Sequence, residues 1–407
     1  MKSKCAPLCI DKRVLVLCDT TEFNINNHRG RITDFEGIGA TSNNSSLGFF
    51  SHNLMVVDRD KKSPLGWSDI HLFNRPVDNI AYTRPNSSVP IEEKESYKWI
   101  GPCLDSKKSV LKQSAHVLFV MDREADIYEV MERLPDSKSD ILIRMRHDRK
   151  VINSNNEKIK VIDDIGQAEV RHRVEFEVTG ESKKRKKRIA KCEIRWASYK
   201  VPRSKKVYDK NSYLEHIQMT AIQILETKDS CPSAEQPIEW TLWYSGSIER
   251  EGQAEELVEC YRARWMIEEA HRLLKKKGFD IESTELEKGK SIRKLLLLGM
   301  DAATKIMQLK AARDGATHIK VSQVFTEEER ECLVHMNGQL EESTDKLSNP
   351  YETNTLPWAS WVIARLGGWK GYKSQRPPGT IIFQRGYDSF KERFLGYQLM
   401  KEVMYKR

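Results

Sequence analysis

No CxxC pair occurs among the eight cysteines (5, 9, 18, 103, 192, 231, 260 and 332), which excludes a zinc ribbon and leaves no disulfide framework to read. Cys5 and Cys9 form only a lone CxxxC, and the usage fits a reducing compartment. No apolar run approaches the length of a membrane span, and the opening MKSKCAPLCIDKRVLVLCD is too interrupted to act as a signal peptide. The expected location is therefore the cytoplasm. No internal repeat is visible, which argues against a solenoid. The GKS at Gly289 to Ser291 lacks the earlier glycine and the preceding strand of a phosphate-binding loop, since Thr284 stands where that glycine is required.

The 407 residues are 39% hydrophobic, enough for a globular protein with a substantial core. The 68 Lys and Arg exceed the 59 Asp and Glu by nine charges, which permits an anionic partner such as nucleic acid without requiring one. The densest cationic runs are KKRKKR (Lys183 to Arg188) and RMRHDRK (Arg144 to Lys150). A solvated loop is the alternative for each.

Three apolar runs predict buried strands. VLVLC stops at Asp19, HVLFVM stops at Asp122, and ILIRMR follows the helical pattern ADIYEVMERL. LGFF and NLMVV predict further strands, and a polar stretch with prolines runs from Asp58 to about Val89. From about residue 151 to 237, period-two alternation in VEFEV, CEIRW and IQMTAIQIL predicts an antiparallel sheet. Helices are expected from Glu251 onward. IRKLLLLGMDAATKIMQLKAA is apolar nearly all round and predicts a buried helix, Thr326 opens another with a capping-box pattern, and a last amphipathic helix begins near Tyr387.

The most informative segment is YRARWMIEEAHRLLKKK, residues 261–277. On a continuous helix, Tyr261, Arg264, Glu268, Arg272 and Lys275 fall within an arc of roughly 80°. A carboxylate is thereby set among cations and a phenol, the groups required to hold a divalent metal beside a phosphodiester. The alternative is a solvated stripe of charge pairs. With Asp19 and Asp122 at strand ends, three carboxylates become available as ligands for two Mg²⁺ ions about 4 Å apart. Asp126 and Glu269 are local rivals. Asp126 is expected to cap the following helix, and Glu269 is rotated about 100° off the stripe.

The segments CDTTEFN at Asp19, MDREADIYEV at Asp122 and YRARWMIEEAHRLLK at Glu268 resemble the three catalytic blocks of bacterial DDE transposases of the insertion-sequence-four family. The last block follows that family's signature of Tyr, two residues, Arg, three residues, Glu, six residues, Lys. The resemblance implies an α/β fold: a ribonuclease-H-like core (1–150 and 238–320) with an inserted antiparallel β-sheet (151–237) and a helical carboxyl-terminal dimerisation region (321–407). It implies that Asp19, Asp122 and Glu268 are metal ligands for Mg²⁺ or Mn²⁺ in DNA cleavage, hairpin formation and strand transfer.

It further implies that Tyr261, Arg264 and Lys275, with Arg272 as a weaker candidate, hold phosphates of double-stranded DNA. Arg144, Arg146 and Lys150 line the same channel, and Trp240 in PIEWTLWYSG stacks on a flipped base. Trp240 and Trp243 are alternatively core aromatics. The implied assembly is a homodimer on DNA. Only eighteen residues precede Asp19, where the family carries an end-recognition domain, so binding without sequence preference is expected. Two other readings stand beside the transposase: a truncated, non-catalytic inhibitor of a full-length relative, and a ribonuclease-H-like nuclease.

Overall fold

Apolar side chains at every position from Val14 to Cys18 require a strand covered on both faces, and all five are fully buried. The computed structural model describes residues 1–407 except 43–45, 77–87, 179–185, 276–277, 316, 318, 342–347, 373 and 406–407. Helix α1 (Lys2–Cys9) precedes β1 (Arg13–Asn24), followed by the short β2 (Gly39–Ala40), β3 (Leu47–Asp58) and β4 (Pro64–Phe73). Then come α2 (Gly101–Lys108), β5 (His116–Met121), α3 (Tyr128–Arg133) and β6 (Ser139–Arg144). The next stretch holds β7 (Lys150–Ile152), β8 (Lys158–Lys160), α4 (Val161–Gln167), β9 (His172–Val178), β10 (Arg188–Pro202), β11 (His216–Glu226) and β12 (Glu239–Tyr244). The helical remainder is α5 (Gln253–Arg262), α6 (Trp265–Leu274), α7 (Gly289–Ala312), α8 (Val321–Val324), α9 (Glu327–Leu340), α10 (Leu356–Leu366) and α11 (Thr380–Tyr405).

These strands form one sheet in the order β2-β3-β1-β5-β6-β12-β11-β10-β7-β8, with β4 added beside β3 and β9 beside β10. β1 is antiparallel to β3 and parallel to β5, and β5 is parallel to β6. The alternating strands β9 to β12 do not make a separate sheet. β12 pairs with the outer side of β6, Leu242 opposite Arg144, and so extends the central sheet.

Three expectations are corrected. β1 does not stop at Asp19 but continues to Asn24, because β3 pairs with it as far as Gly48 and carries the ladder past the apolar run. LGFF and NLMVV are a single strand, β3. The polar stretch after Asp58 contains β4, hidden by Pro64 and Gly66. It is tolerated because Pro64 is its first residue and the pairing with β3 shifts register there.

α7 presents Leu296, Met300, Ala303 and Ile306 to the core, yet Leu298 is 70% exposed, so the helix has one buried stripe rather than burial all round. Thr326 caps α9 with the expected reciprocal box. The last helix begins at Thr380, one turn and more before Tyr387. Trp358 and Trp361 of α10 are buried, and Phe383 and Phe390 of α11 are buried in the same core.

Glu269 faces away from Glu268 and ties the helices together. Its carboxylate pairs with Lys310 of α7 at 2.6 Å and accepts a hydrogen bond from Thr380 at the start of α11. Glu269→Ala leaves a partly buried lysine without its partner, so unfolding free energy should drop by about 2 kcal/mol in urea titration. If the chain cleaves DNA as the family resemblance implies, cleavage by the folded variant should persist, which distinguishes Glu269 from its neighbour.

Candidate active site

The parallel register of β1 and β5 pairs Leu17 with Val120. Continued two residues, it sets Asp19 beside Asp122 on adjacent chains. Asp19 lies opposite Asn53 of β3, and Asp122 follows β5 directly, where its side chain accepts the Glu124 N–H at 2.8 Å and caps a short 3-10 turn. Glu268 arrives from α6, which packs on β1.

Arg264 stands between these carboxylates. Its guanidinium lies 3.6 Å from Asp19 and is hydrogen-bonded to Glu268. Burial pushes the Asp19 carboxyl up to about 7, opposed by Arg264 and reinforced by the charges of Asp122 and Glu268. Asp122 is raised by burial too, with the neighbouring Glu124 adding to the effect against the backbone hydrogen bond. Burial works against the charge of Arg264, yet Tyr261 and the three acids leave it above its usual value. The centre therefore carries more negative charge than its one embedded cation neutralises.

The stripe that brings these groups together is not one continuous helix. α5 ends at Arg262 and α6 begins at Trp265, with i→i−3 hydrogen bonds from the N–H groups of Arg264, Met266 and Ile267 tightening the joint. Lys275 has left the helix in an extended conformation at its carboxyl end. Lys275 and Arg272 nevertheless line the same cleft as Asp19 and Glu268, an open space of about 440 Å³ that also borders Thr20, His271 and Glu282. The Arg272 guanidinium lies over Trp265 at 5.4 Å, and the Lys275 ammonium over Phe23 at 5.6 Å.

The other expected DNA contacts divide into two groups. Tyr261 is buried behind Arg264, with Trp240 edge-on to it at 5.7 Å and Phe176 stacked beyond Trp240 at 6.4 Å. Trp240 is half-buried, whereas Trp243 is fully buried in the core. Arg144 donates to the Glu239 carbonyl at 3.5 Å and interacts with Tyr261, which joins it to this aromatic group. Arg146 and Lys150 are exposed on the following segment.

Two charge assignments change. Asp126 does not cap α3: its buried carboxylate accepts the backbone N–H groups of Arg146 and His147 and pairs with Arg149 at 2.8 Å, fixing the start of the basic segment. Of the KKRKKR run, residues 183–185 lie outside the described residues, and Arg188 is engaged internally with Glu226 and Glu235.

His271, Asn53, Thr20 and Glu282 escaped the sequence reading. His271 was within reach of it, three residues after Glu268 and so on the same helix face. Asn53 and Glu282 were not, since Asn53 meets His271 only through the pairing of β1 with β3, and Glu282 reaches the cleft only through the turn that brings it to the Asn24 N–H at 3.0 Å.

Among the described residues no three His, Cys, Asp or Glu side chains stand in metal-holding geometry as they lie, and Arg264 bridges two of the acids. The donor set still suits a hard divalent cation: Asp19 and Glu268 line an open cleft, Asp122 stands beside Asp19, and burial first, then neighbouring acids, raises Asp19 and Asp122.

Residues 103–302 match the family model described as the transposase DDE domain. The matched segment holds Asp122, Glu268 and the residues from Arg144 to Lys275, and begins after Asp19. No described helix is long and apolar enough to cross a membrane.

Proposed function

We propose, from the transposase DDE match together with the meeting of Asp19, Asp122 and Glu268, that the chain is a cut-and-paste DNA transposase of the insertion-sequence-four type. The carrying observation is that the β1–β5 register and α6, packed on β1, bring Asp19 and Glu268 to one guanidinium, Arg264, with the charge of Asp122 acting on it as well. The strand order β4-β3-β1-β5-β6, antiparallel then parallel, supports a ribonuclease-H-like core. Asp19, Asp122 and Glu268 would hold Mg²⁺ or Mn²⁺, which when bound activates a water or a 3′ hydroxyl and neutralises the leaving oxygen.

The chain's own groups position the DNA. Arg272 and Lys275 on the cleft wall take phosphate oxygens beside the scissile bond, and Arg146 and Lys150 continue the track. Releasing Glu268 for a metal frees Arg264 to turn toward the same phosphate. The test is a gel assay of strand cleavage on duplexes bearing the inverted repeats that flank the gene. Metal-dependent nicking at those ends supports the reading, and a folded, DNA-bound protein that never nicks them contradicts it.

Trp240 is half-buried edge-on to Tyr261, where it would offer an extruded base an aromatic face. Trp240→Ala should slow hairpin formation roughly 5- to 150-fold, the equivalent of about 1 to 3 kcal/mol of stacking, and spare the first nick. Equal loss of both steps in a timed gel assay would mark a folding role.

The carboxyl-terminal half of α11 leaves Leu395, Leu399, Met400, Val403 and Met404 more than half exposed. We place the homodimer contact on this stripe. The tryptophans of the tail, Trp358 and Trp361, are spent on the protein's own core, so cutting the tail away after Leu356 would damage the fold. Leu399→Glu with Val403→Glu should abolish paired-end complexes in light scattering while leaving single-end binding and the thermal midpoint unchanged.

A further inference from the structure

His271 is buried beside the acid centre, with Nδ1 3.6 Å from Asp19 and Nε2 2.9 Å from the side-chain amide nitrogen of Asn53. The orientation of that amide is settled by its surroundings. Its nitrogen lies 3.4 Å from the Ser51 carbonyl, which only accepts, and its oxygen takes the Ser51 hydroxyl at 2.6 Å. The second amide hydrogen is then donated to His271 Nε2, so this ring nitrogen must be the bare one. The imidazole proton sits on Nδ1 and faces Asp19 Oδ2, while Arg264 approaches Oδ1 from the other side.

We infer that the Ser51–Asn53–His271 chain is a positioning device for Asp19: it fixes the Nδ1–H tautomer, directs that N–H at Oδ2, and leaves Oδ1 turned toward the cleft for a divalent cation. The inference rests on the metal-centre reading above. All three residues are fixed by ordinary structure, Asn53 on β3 opposite Asp19, Ser51 on β3 opposite Thr21, and His271 one turn beyond Glu268. At 3.6 Å the last link is too long for a formed hydrogen bond. The Asp19 carboxylate has to shift by roughly half an ångström toward the ring for that bond to form.

The test uses the full chain and two measurements. In the metal-free protein, the ¹⁵N spectrum of the His271 ring, assigned by difference from His271→Phe, should report the Nδ1–H tautomer. Mn²⁺ binding followed by electron paramagnetic resonance should weaken about 10- to 100-fold in His271→Phe, which keeps the ring but loses the N–H. His271→Asn, whose amide nitrogen takes the Nδ1 position, should recover most of that loss. Thermal midpoints confirm that each variant is folded.

An Nε2–H tautomer in the unaltered protein overturns the inference. So does Mn²⁺ affinity within twofold of the unaltered protein in folded His271→Phe. Absence of Mn²⁺ uptake by the unaltered protein would instead contradict the carboxylate centre itself, and this inference with it.

Discussion

Replacing Asp19, Asp122 or Glu268 with alanine is expected to lower strand cleavage by at least roughly 10³-fold, as happens when one member of a catalytic unit is removed. The three act on one centre, so the double variants should be no worse than the worst single one. DNA affinity should hold within a few-fold, because in the proposed function binding would rest on phosphate contacts from the cleft-lining Arg272 and Lys275 and the exposed Arg146 and Lys150, and not on the acids. Binding is measured by filter retention at several salt concentrations and cleavage on sequencing gels. Near-normal cleavage by a folded Glu268→Ala would remove the acid centre from the account.

The second large effect concerns stability and pH. Asp19 has its carboxyl pushed up to about 7 from 3.8, by burial first and then by Asp122 and Glu268 against the pull of Arg264. The folded protein therefore holds a proton that the unfolded chain releases above pH 4 or so. Stability should be undiminished below that pH, fall as pH rises from there toward 7, and bear the full cost above 7. At 1.36 kcal/mol per unit, the cost is on the order of a few kcal/mol. Asp19→Asn should remove it: the variant is expected to be more stable than the parent at pH 8 and equal to it near pH 4 in metal-free buffer. Divalent cations should stabilise the parent at pH 8 and fail to stabilise the variant. A parent whose thermal midpoint does not decline between pH 4 and 8 relative to Asp19→Asn would show that Asp19 carries no such strain.

Much of the centre was legible because it is local. Asp122 at the end of a buried strand, and Arg264 and Glu268 four apart, are positions that periodicity alone can set. What escaped depended on pairing between distant strands. β4 was hidden by Pro64 and Gly66, since its place follows from β3 rather than from its own composition. The meeting of Asp19 with Asp122 needs the β1–β5 register, which no local pattern encodes. Asn53 becomes part of the site only because β3 pairs with β1 far beyond the apolar run. Of the 80° stripe, Glu268, Arg272 and Lys275 line the cleft and Arg264 bonds Glu268, but Tyr261 is buried, and the stripe is not continuous, because the joint at Ala263 and Arg264 and the extended Lys275 replace part of the helix with tighter turns. Asp126 illustrates the same limit: its sequence position suits a helix cap, but tertiary contacts give its carboxylate to Arg149 and the turn after β6.

In the proposed function Asp19, Asp122 and Glu268 hold divalent cations in place of the Arg264 bridge. Anomalous diffraction from crystals grown with a cleaved DNA end and Mn²⁺ tests it most directly. The expected result is manganese density among the three carboxylates at about 2 to 2.6 Å from their oxygens, with Arg264 turned off Glu268 toward a phosphate. Arg264 still bonded to Glu268, with manganese bound elsewhere or nowhere on the protein, would contradict the account.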